Sequence, residues 1–175
     1  AQRVRRTARR RPDLLHPSAL PDEPTLRSGR PGDAGELFTL QRACWLVEQT
    51  LNPGVSIPAL TESLDDVSAW LGEATVLVAH RGARLIAAAR GRLDDSGSWE
   101  VGRLMVAPDL QGQGLGRWML ERIEEAAPVE AQRFTLVTGA RSASNQRMYK
   151  KAGYRIGGQA PEGAIALRKV RRISD

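Results

Sequence analysis

Apolar positions early in the chain recur every three to four residues. Leu37, Leu40, Cys44 and Val47 fall on one face of a helix that Asp33 opens, with Glu36 three residues on as in a capping box. Leu26 to Arg30 reads as a short strand before it, and residues 59–71 as a second helix with Trp70 near its end. Strands follow at Thr75–His80 and Arg84–Leu93 around an Arg81-Gly82 hairpin turn, then at Ser98–Val106 after the turn Asp94-Asp95-Ser96-Gly97. A helix runs from Arg117 to Glu125, a strand from Arg133 to Thr138 and a helix from Ser144 to Ala152, stopping at Gly153. Tyr154–Ile156 and Ala164–Val170 close the pattern around the loop 157–163. The order β-α-α-β-β-β-α-β-α-β-β is an antiparallel meander followed by crossover units, a mixed α/β class.

Charge changes this picture only at one end. The 175 residues carry 26 Lys+Arg against 20 Asp+Glu, for a net charge of +6. Arg3, Arg5, Arg6, Arg9, Arg10 and Arg11 account for the whole excess. Residues 1–24, with Pro12, Pro17, Pro21 and Pro24, therefore read as a basic, extended arm, and residues 25–175 as one near-neutral domain. Such an arm can contact nucleic acid or an anionic surface, and more commonly is a solvated extension. One cysteine, Cys44, and two histidines, His16 and His80, offer no disulfide framework and no zinc cluster, so no metal is expected. The absence of a secretory pattern or long apolar run points to the cytoplasm and away from a membrane.

The chemistry concentrates in residues 103–117, RLMVAPDLQGQGLGR. An apolar run, Leu104-Met105-Val106, stops at Ala107-Pro108-Asp109; Gln111-Gly112-Gln113-Gly114-Leu115-Gly116 then leads into a helix. A strand, a glycine-rich turn and a helix N-terminus together offer unpaired N–H groups and the positive end of a helix dipole to an anion. The spacing fails the dinucleotide pattern Gly-x-Gly-x-x-Gly, because Arg117 or Met119 occupies the third glycine position, and no Gly-Lys-Ser/Thr follows for a nucleotide-triphosphate loop. It fits Gln/Arg-x-x-Gly-x-Gly/Ala through Gln111, Gly114 and Gly116. About 30 residues on, Asn145 and Tyr149 share a helix face that runs into Gly153-Tyr154.

Both patterns, in this order, resemble the GNAT superfamily of N-acetyltransferases over roughly residues 25–170. The resemblance implies a central, mixed, mostly antiparallel sheet of about seven strands flanked by about four helices, with splayed strands forming a cleft for coenzyme A. It implies acetyl-CoA as donor substrate, with Leu104, Met105 and Val106 pairing main-chain atoms with pantetheine along a bulged strand. Gln111, Gly112, Gln113, Gly114, Leu115, Gly116 and Arg117 would hold the pyrophosphate, with Asn145 and Tyr149 also at the cofactor. Tyr149 matches the family's general acid, and Glu100, on the strand entering the loop, is the candidate base. The Val106 N–H is placed to meet the developing oxyanion. Two departures stand out. Ser142 replaces the asparagine many members carry seven residues before the tyrosine, and the strand Phe134–Thr138 lacks the glutamate of relatives that acetylate protein N-termini.

The acceptor side is implied to lie around Trp45–Leu64 and Gly157–Gly163, with Trp45 and Trp70 as pocket or core residues and Glu62, Asp65 and Asp66 as a solvated helix face. The expected activity is direct acetyl transfer to a primary amine, on a small molecule or a protein, by a monomer or homodimer. Two alternatives stand beside it: an acyl-CoA sensor without turnover, and an enzyme acting on aminoacyl-tRNA or another RNA-bound amine through the basic arm. Cys44, away from both motifs, reads as core.

Overall fold

In the computed structural model, which describes residues 23–172, seven strands form one sheet in the order β1-β2-β3-β4-β5-β7-β6. The strands are β1 (Thr25–Ser28), β2 (Thr75–Arg81), β3 (Arg84–Leu93), β4 (Ser98–Val106), β5 (Arg133–Gly139), β6 (Arg155–Ile156) and β7 (Ala164–Val170). Five helices accompany them: α1 (Ala34–Leu51), α2 (Pro58–Thr61), α3 (Leu64–Glu73), α4 (Leu115–Glu125) and α5 (Ala143–Lys151). Every strand pair is antiparallel except β4 with β5. Of the arm expected over residues 1–24, all but the last two residues lie outside the described residues.

Strand alternation sends apolar side chains to both faces of the sheet, and a helical layer covers each. On one face Met119, Leu120 and Ile123 of α4 bury against Ile86, Ala87, Ala89, Trp99 and Val101, joined by Tyr149 and Tyr154. On the other, Leu37, Leu40 and Cys44 of α1 and Val67 and Trp70 of α3 pack on Val76, Val78, Ala88 and Met105. The predicted α1 stripe holds through Cys44, but Val47 is exposed. Beyond Cys44 the helix runs past the sheet, and the inward face passes to Glu48 and Asn52.

Three expectations change. The 59–71 helix is two helices, because Ser63 breaks it: its hydroxyl accepts from the Asp66 N–H at 3.1 Å, and Asp66 reciprocates to the Ser63 N–H at 2.7 Å, a true capping box. Asp33 stands at the start of α1 but makes no side-chain cap there. Its carboxylate instead takes both Arg27 nitrogens at 2.7 Å and the Arg30 N–H at 2.7 Å, tying β1 to the turn before α1. Glu62 is not on a solvated face; it accepts from Gln41 Nε2 at 2.7 Å and pairs with Arg103.

The sheet splits in its middle. β4 and β5 pair only over Ser98–Glu100 with Arg133–Thr135. Past Glu100 the strands separate, while β4 stays on β3 and β5 stays on β7 as far as Gly139. The β3–β4 register slips between Ala88 and Arg90, leaving Arg103 and Leu104 without opposite numbers on β3. Arg103 there adopts φ +48, unlike any other non-glycine residue among those described. A bulge adds twist and bends a strand, which carries β4 away from β5.

The three-residue β4–β5 junction is braced by Trp99, whose indole N–H donates to the Ile123 oxygen at 3.0 Å, anchoring α4. The indole lies where a side chain on Gly91 would be: a Cβ there would come within 2.1 Å of it. Gly91→Ala is therefore expected to lower the unfolding free energy by about 1–3 kcal/mol through overpacking. Urea denaturation should show the midpoint falling at unchanged slope.

Candidate active site

The split opens a cavity of about 830 Å³ between the two halves of the sheet, walled by α1, β4, the β4–α4 loop, α5 and the β6–β7 loop. Its β4 wall carries unpaired main chain. Ala107 donates to the Ile86 oxygen at 2.8 Å. In an antiparallel ladder that makes Ala87 and Val106 a non-hydrogen-bonded pair, so the Val106 N–H and C=O face away from β3, to the open side. Cys44 Sγ donates to the Val106 oxygen at 3.2 Å, leaving its N–H free for the cavity. Met105, one residue earlier, takes the alternate position opposite Ala88 and buries its side chain under α1 and α3. The rail foreseen over Leu104, Met105 and Val106 thus narrows: Leu104 and Val106 line the cavity, and Met105 faces β3.

At the end of β4 the chain makes a one-turn segment, Pro108–Leu110, and then the glycine loop. Gly112 and Gly114 have φ of +78 and +85, a left-handed backbone that costs a residue with a Cβ roughly 1–2 kcal/mol. Gly114 is the N-cap of α4 and no side chain caps the helix; the first internal bond runs from the Trp118 N–H to the Gly114 oxygen at 3.0 Å. The N–H groups of Leu115, Gly116 and Arg117 precede that bond and point out of the helix end. Gln111, Gly112, Gly114, Leu115, Gly116 and Arg117 line the cavity; Gln113 is exposed beside it. Arg117 is exposed and spends its Nε on Glu121 at 3.0 Å, one turn along α4.

Opposite this wall stands α5. Tyr149 is 7% exposed, edge-on to the Tyr154 ring at 6.0 Å, and lines the cavity. Its hydroxyl has no hydrogen-bond partner among the described residues. Burial, with the Glu48 carboxylate adding to it, pushes the phenol well above the usual tyrosine range, so it stays protonated. Tyr154 is the structural tyrosine of the pair, donating to Glu124 Oε1 at 2.8 Å. Asn145 donates to Glu48 Oε1 at 2.9 Å, and Ser142 donates to the other oxygen of the same carboxylate. Asn52 closes the group, donating to Ser142 Oγ at 3.0 Å and accepting from the Arg141 N–H at 3.0 Å. Ser142 is 2% exposed and does not line the cavity, whereas Asn145 does. Glu48 and Asn52 were invisible as functional positions in the sequence; only their spacing of four and eight residues from Cys44 hinted at a shared face.

The remaining wall is charged. Glu100 is half-exposed, 3.9 Å from both Arg90 and Arg92. Arg103 pairs with Glu62 and lies 5.7 Å over the Trp45 ring. Burial works against a charged Glu62, but hydrogen bonds from Arg103 and Gln41 outweigh it and hold the carboxyl below the usual range. Trp45 lines the cavity, while Trp70 is core. Cys44 also reaches the wall, its thiol pushed up to about 11 by burial. Away from the cavity, Asp33, Glu36 and His80 bring one ligand atom each within 4.8 Å of one another, though Arg27 already holds Asp33. No helix among the described residues is long and apolar enough to cross a membrane.

Comparison with known proteins agrees with this geometry. Residues 72–156 match the acetyltransferase (GNAT) domain model. An IAA acetyltransferase of Azospirillum brasilense is 35% identical over 80 residues, 45% of this chain and 52% of that protein, so the match spans about half the relative's length. The PaiA N-acetyltransferase of Thermoplasma acidophilum, solved with coenzyme A, superposes with a TM-score of 0.71 at 13% identity, over 85% of this chain and 99% of that one. YncA, a putative acetyltransferase of Salmonella typhimurium solved with acetyl-CoA, gives 0.66 at 18% identity over 88% and 99%. The ribosomal-protein-S18-alanine N-acetyltransferase of Escherichia coli gives 0.66 at 17% identity over 87% and 97%.

A Cβ on Gly114 would meet nothing within 4 Å, so Gly114→Ala strains the backbone without a clash. Holding the loop in its left-handed turn should cost the variant about 1–2 kcal/mol of stability. Urea denaturation measures it.

Proposed function

We propose that this chain, which carries the acetyltransferase domain of the GNAT family, moves an acetyl group from acetyl-CoA directly to a primary amine bound in the same cavity. The observation that carries the reading is the coincidence, in one cleft, of an uncapped α4 N-terminus, an open β4 edge and a buried tyrosine without a partner.

Acetyl-CoA fits these groups. Its pyrophosphate suits the free N–H groups of Leu115, Gly116 and Arg117, reached across Gly112 and Gly114. Pantetheine amides suit the cavity-side main chain at Leu104 and the second lone pair of the Val106 oxygen, replacing the hydrogen bonds β5 does not make, while the Val106 N–H stays free for the acyl oxygen. Gln111, Gln113 and Asn145 stand at the rim. When bound, the thioester supplies an activated acyl carbon.

The chain's residues then handle charge and protons. The Val106 N–H faces the negative charge that develops on the acyl oxygen as the amine attacks. Glu100, on the acceptor wall, takes a proton from the amine directly or through water. As the carbon–sulfur bond breaks, Tyr149 gives its hydroxyl proton to the leaving sulfur. Free thiol and phenol have reference pKa values of about 8.5 and about 10, which alone would favour leaving the thiolate charged. In this wall burial raises both: Cys44, a thiol in the same wall, is pushed up to about 11. Burial penalises the phenolate left on Tyr149 as well as the thiolate, so the proton passes as the carbon–sulfur bond breaks and Tyr149 regains one from solvent before the next turnover.

No covalent route competes. Cys44 is held protonated at neutral pH and donates to Val106, and no histidine among the described residues lines the cavity.

A thiol-release assay with acetyl-CoA and a panel of amines tests the reading. Tyr149→Phe should keep CoA affinity and lose about 10²-fold or more in kcat. Wild-type kcat should show no alkaline loss below pH ~10, because the phenol titrates above its ordinary range. Glu100→Gln should keep CoA affinity and lower kcat by about 10²-fold. CoA binding with no thiol release from any amine would mark a sensor instead, and full activity in Tyr149→Phe would remove the tyrosine from the chemistry.

A further inference from the structure

Resting on that reading, we propose that the acceptor is an amine bearing an oxyanion, an amino acid or close analogue, whose acidic group is held by Arg90.

Arg90 sits on β3 opposite Gly102, on the face covered by α1 and α3. Its side chain is only 17% exposed, yet it makes no hydrogen bond among the described residues. Its partner carboxylate, Glu100, is 3.9 Å away, too far for a hydrogen bond. Burial, and then repulsion from Arg103, lower its pKa, the signature of a cation short of compensating charge. A guanidinium presents five N–H donors in a planar fork, and those of Arg90 face the open cavity without a protein hydrogen-bond partner among the described residues. The guanidinium is nonetheless held in place: it lies 5.5 Å over the Trp70 ring, and the absent side chain of Gly102 leaves room for Nη2, which a Cβ there would meet at 3.2 Å. A rigid, half-dry, unspent fork at a cavity wall is built for a bidentate oxyanion.

Local charge points the same way. Three guanidiniums, of Arg90, Arg92 and Arg103, face two carboxylates, Glu62 and Glu100. Arg42 adds a fourth cation behind them, donating to the Glu62 main-chain oxygen at 3.0 Å. Glu48, also on the wall, is taken up by Ser142 and Asn145, and Glu162 of the β6–β7 loop lines the cavity as well. A purely apolar amine would seal Arg90 away with its donors unmet.

The juxtaposition also suits the chemistry. In an α-amino acid the ammonium and the carboxylate hang on one carbon, side by side. Arg90 and Glu100 stand side by side on paired strands, held short of contact. Inserted there, the acid takes the Arg90 fork and the ammonium meets Glu100, the group assigned to remove its proton. Trp45, under Arg103, leaves an indole face for the side chain.

The test is calorimetric titration of the CoA-bound protein with N-acetyl amino acids, each matched with its carboxamide and its aminophosphonate counterpart. At least one side-chain type should bind about 10-fold or more tightly as the acid than as the amide. Carboxylate against phosphonate affinity then tells which oxyanion the fork prefers. Arg90→Gln should abolish the difference between acid and amide, and Arg90→Lys should retain part of it. CoA affinity, measured first, reports that both variants are folded. The inference is overturned if amides bind as well as acids, if no acid binds, or if Arg90→Gln keeps the preference; turnover of uncharged amines would then leave acetyl transfer standing. Failure of the wild type to bind CoA overturns the proposed function and the inference with it.

Discussion

A sheet cannot end in its own middle without a reason, because every main-chain N–H and C=O taken from water needs a partner. Here β4 and β5 share three residues of ladder and then part. That parting is the constraint on which the rest depends. It creates the cavity, exposes one edge of β4, and places the start of α4 and the face of α5 on either side of the gap. The bulge at Arg103 drives the divergence, and its φ of +48 is the local strain that accompanies it. The unpaired edge leaves main-chain groups on the cavity side, so the candidate site follows from a deficit in the fold.

A split sheet also needs its halves joined across the gap. At the closed end the short β4–β5 ladder does so, and Arg133 of β5 donates across it to Ser98 Oγ at 2.6 Å. At the open end the link is polar: Glu48 and Asn52, one turn apart on α1, receive and hold Ser142, Asn145 and the Arg141 N–H at the start of α5. This clasp explains why a serine stands where an asparagine is common in the resembling family. Ser142 is not turned to the cavity; it is a buried link between two helices. The same Glu48 charge adds to the burial that keeps Tyr149 protonated. Positioning of α5 and protonation of its tyrosine therefore share one residue.

The two ends of the cavity both offer N–H donors, by different means. The α4 end offers N–H dipoles, which need no side chain and tolerate exposed neighbours such as Gln111 and Gln113. The acceptor end uses fixed guanidiniums braced by tryptophans, Arg90 over Trp70 and Arg103 over Trp45, with Glu62 neutralising one of them. Aromatic bracing limits the freedom a long side chain would otherwise lose on binding, which makes such a wall selective.

The sequence alone determined what depends on neighbours a few residues apart. Glycines at 112 and 114 report a left-handed turn, the apolar run before them reports a strand, and the 145–149 spacing reports one helix face, because each is a local geometric requirement. The chain order of strands and helices and the glycine turn were legible on those grounds; Cys44 is buried as expected, but it is not away from the glycine-loop motif, since it bonds Val106 at the cavity wall. What only the tertiary structure decided rests on distant partners: Glu62 with Arg103, Glu48 with Ser142, Asp33 with Arg27 instead of its own helix end, and Arg90 left without a hydrogen bond. A carboxylate and a guanidinium attract without regard to sequence spacing, so no periodicity records which will meet. That choice is made when two helical layers close on the two faces of a divided sheet, and it is there that the acceptor's chemistry is written.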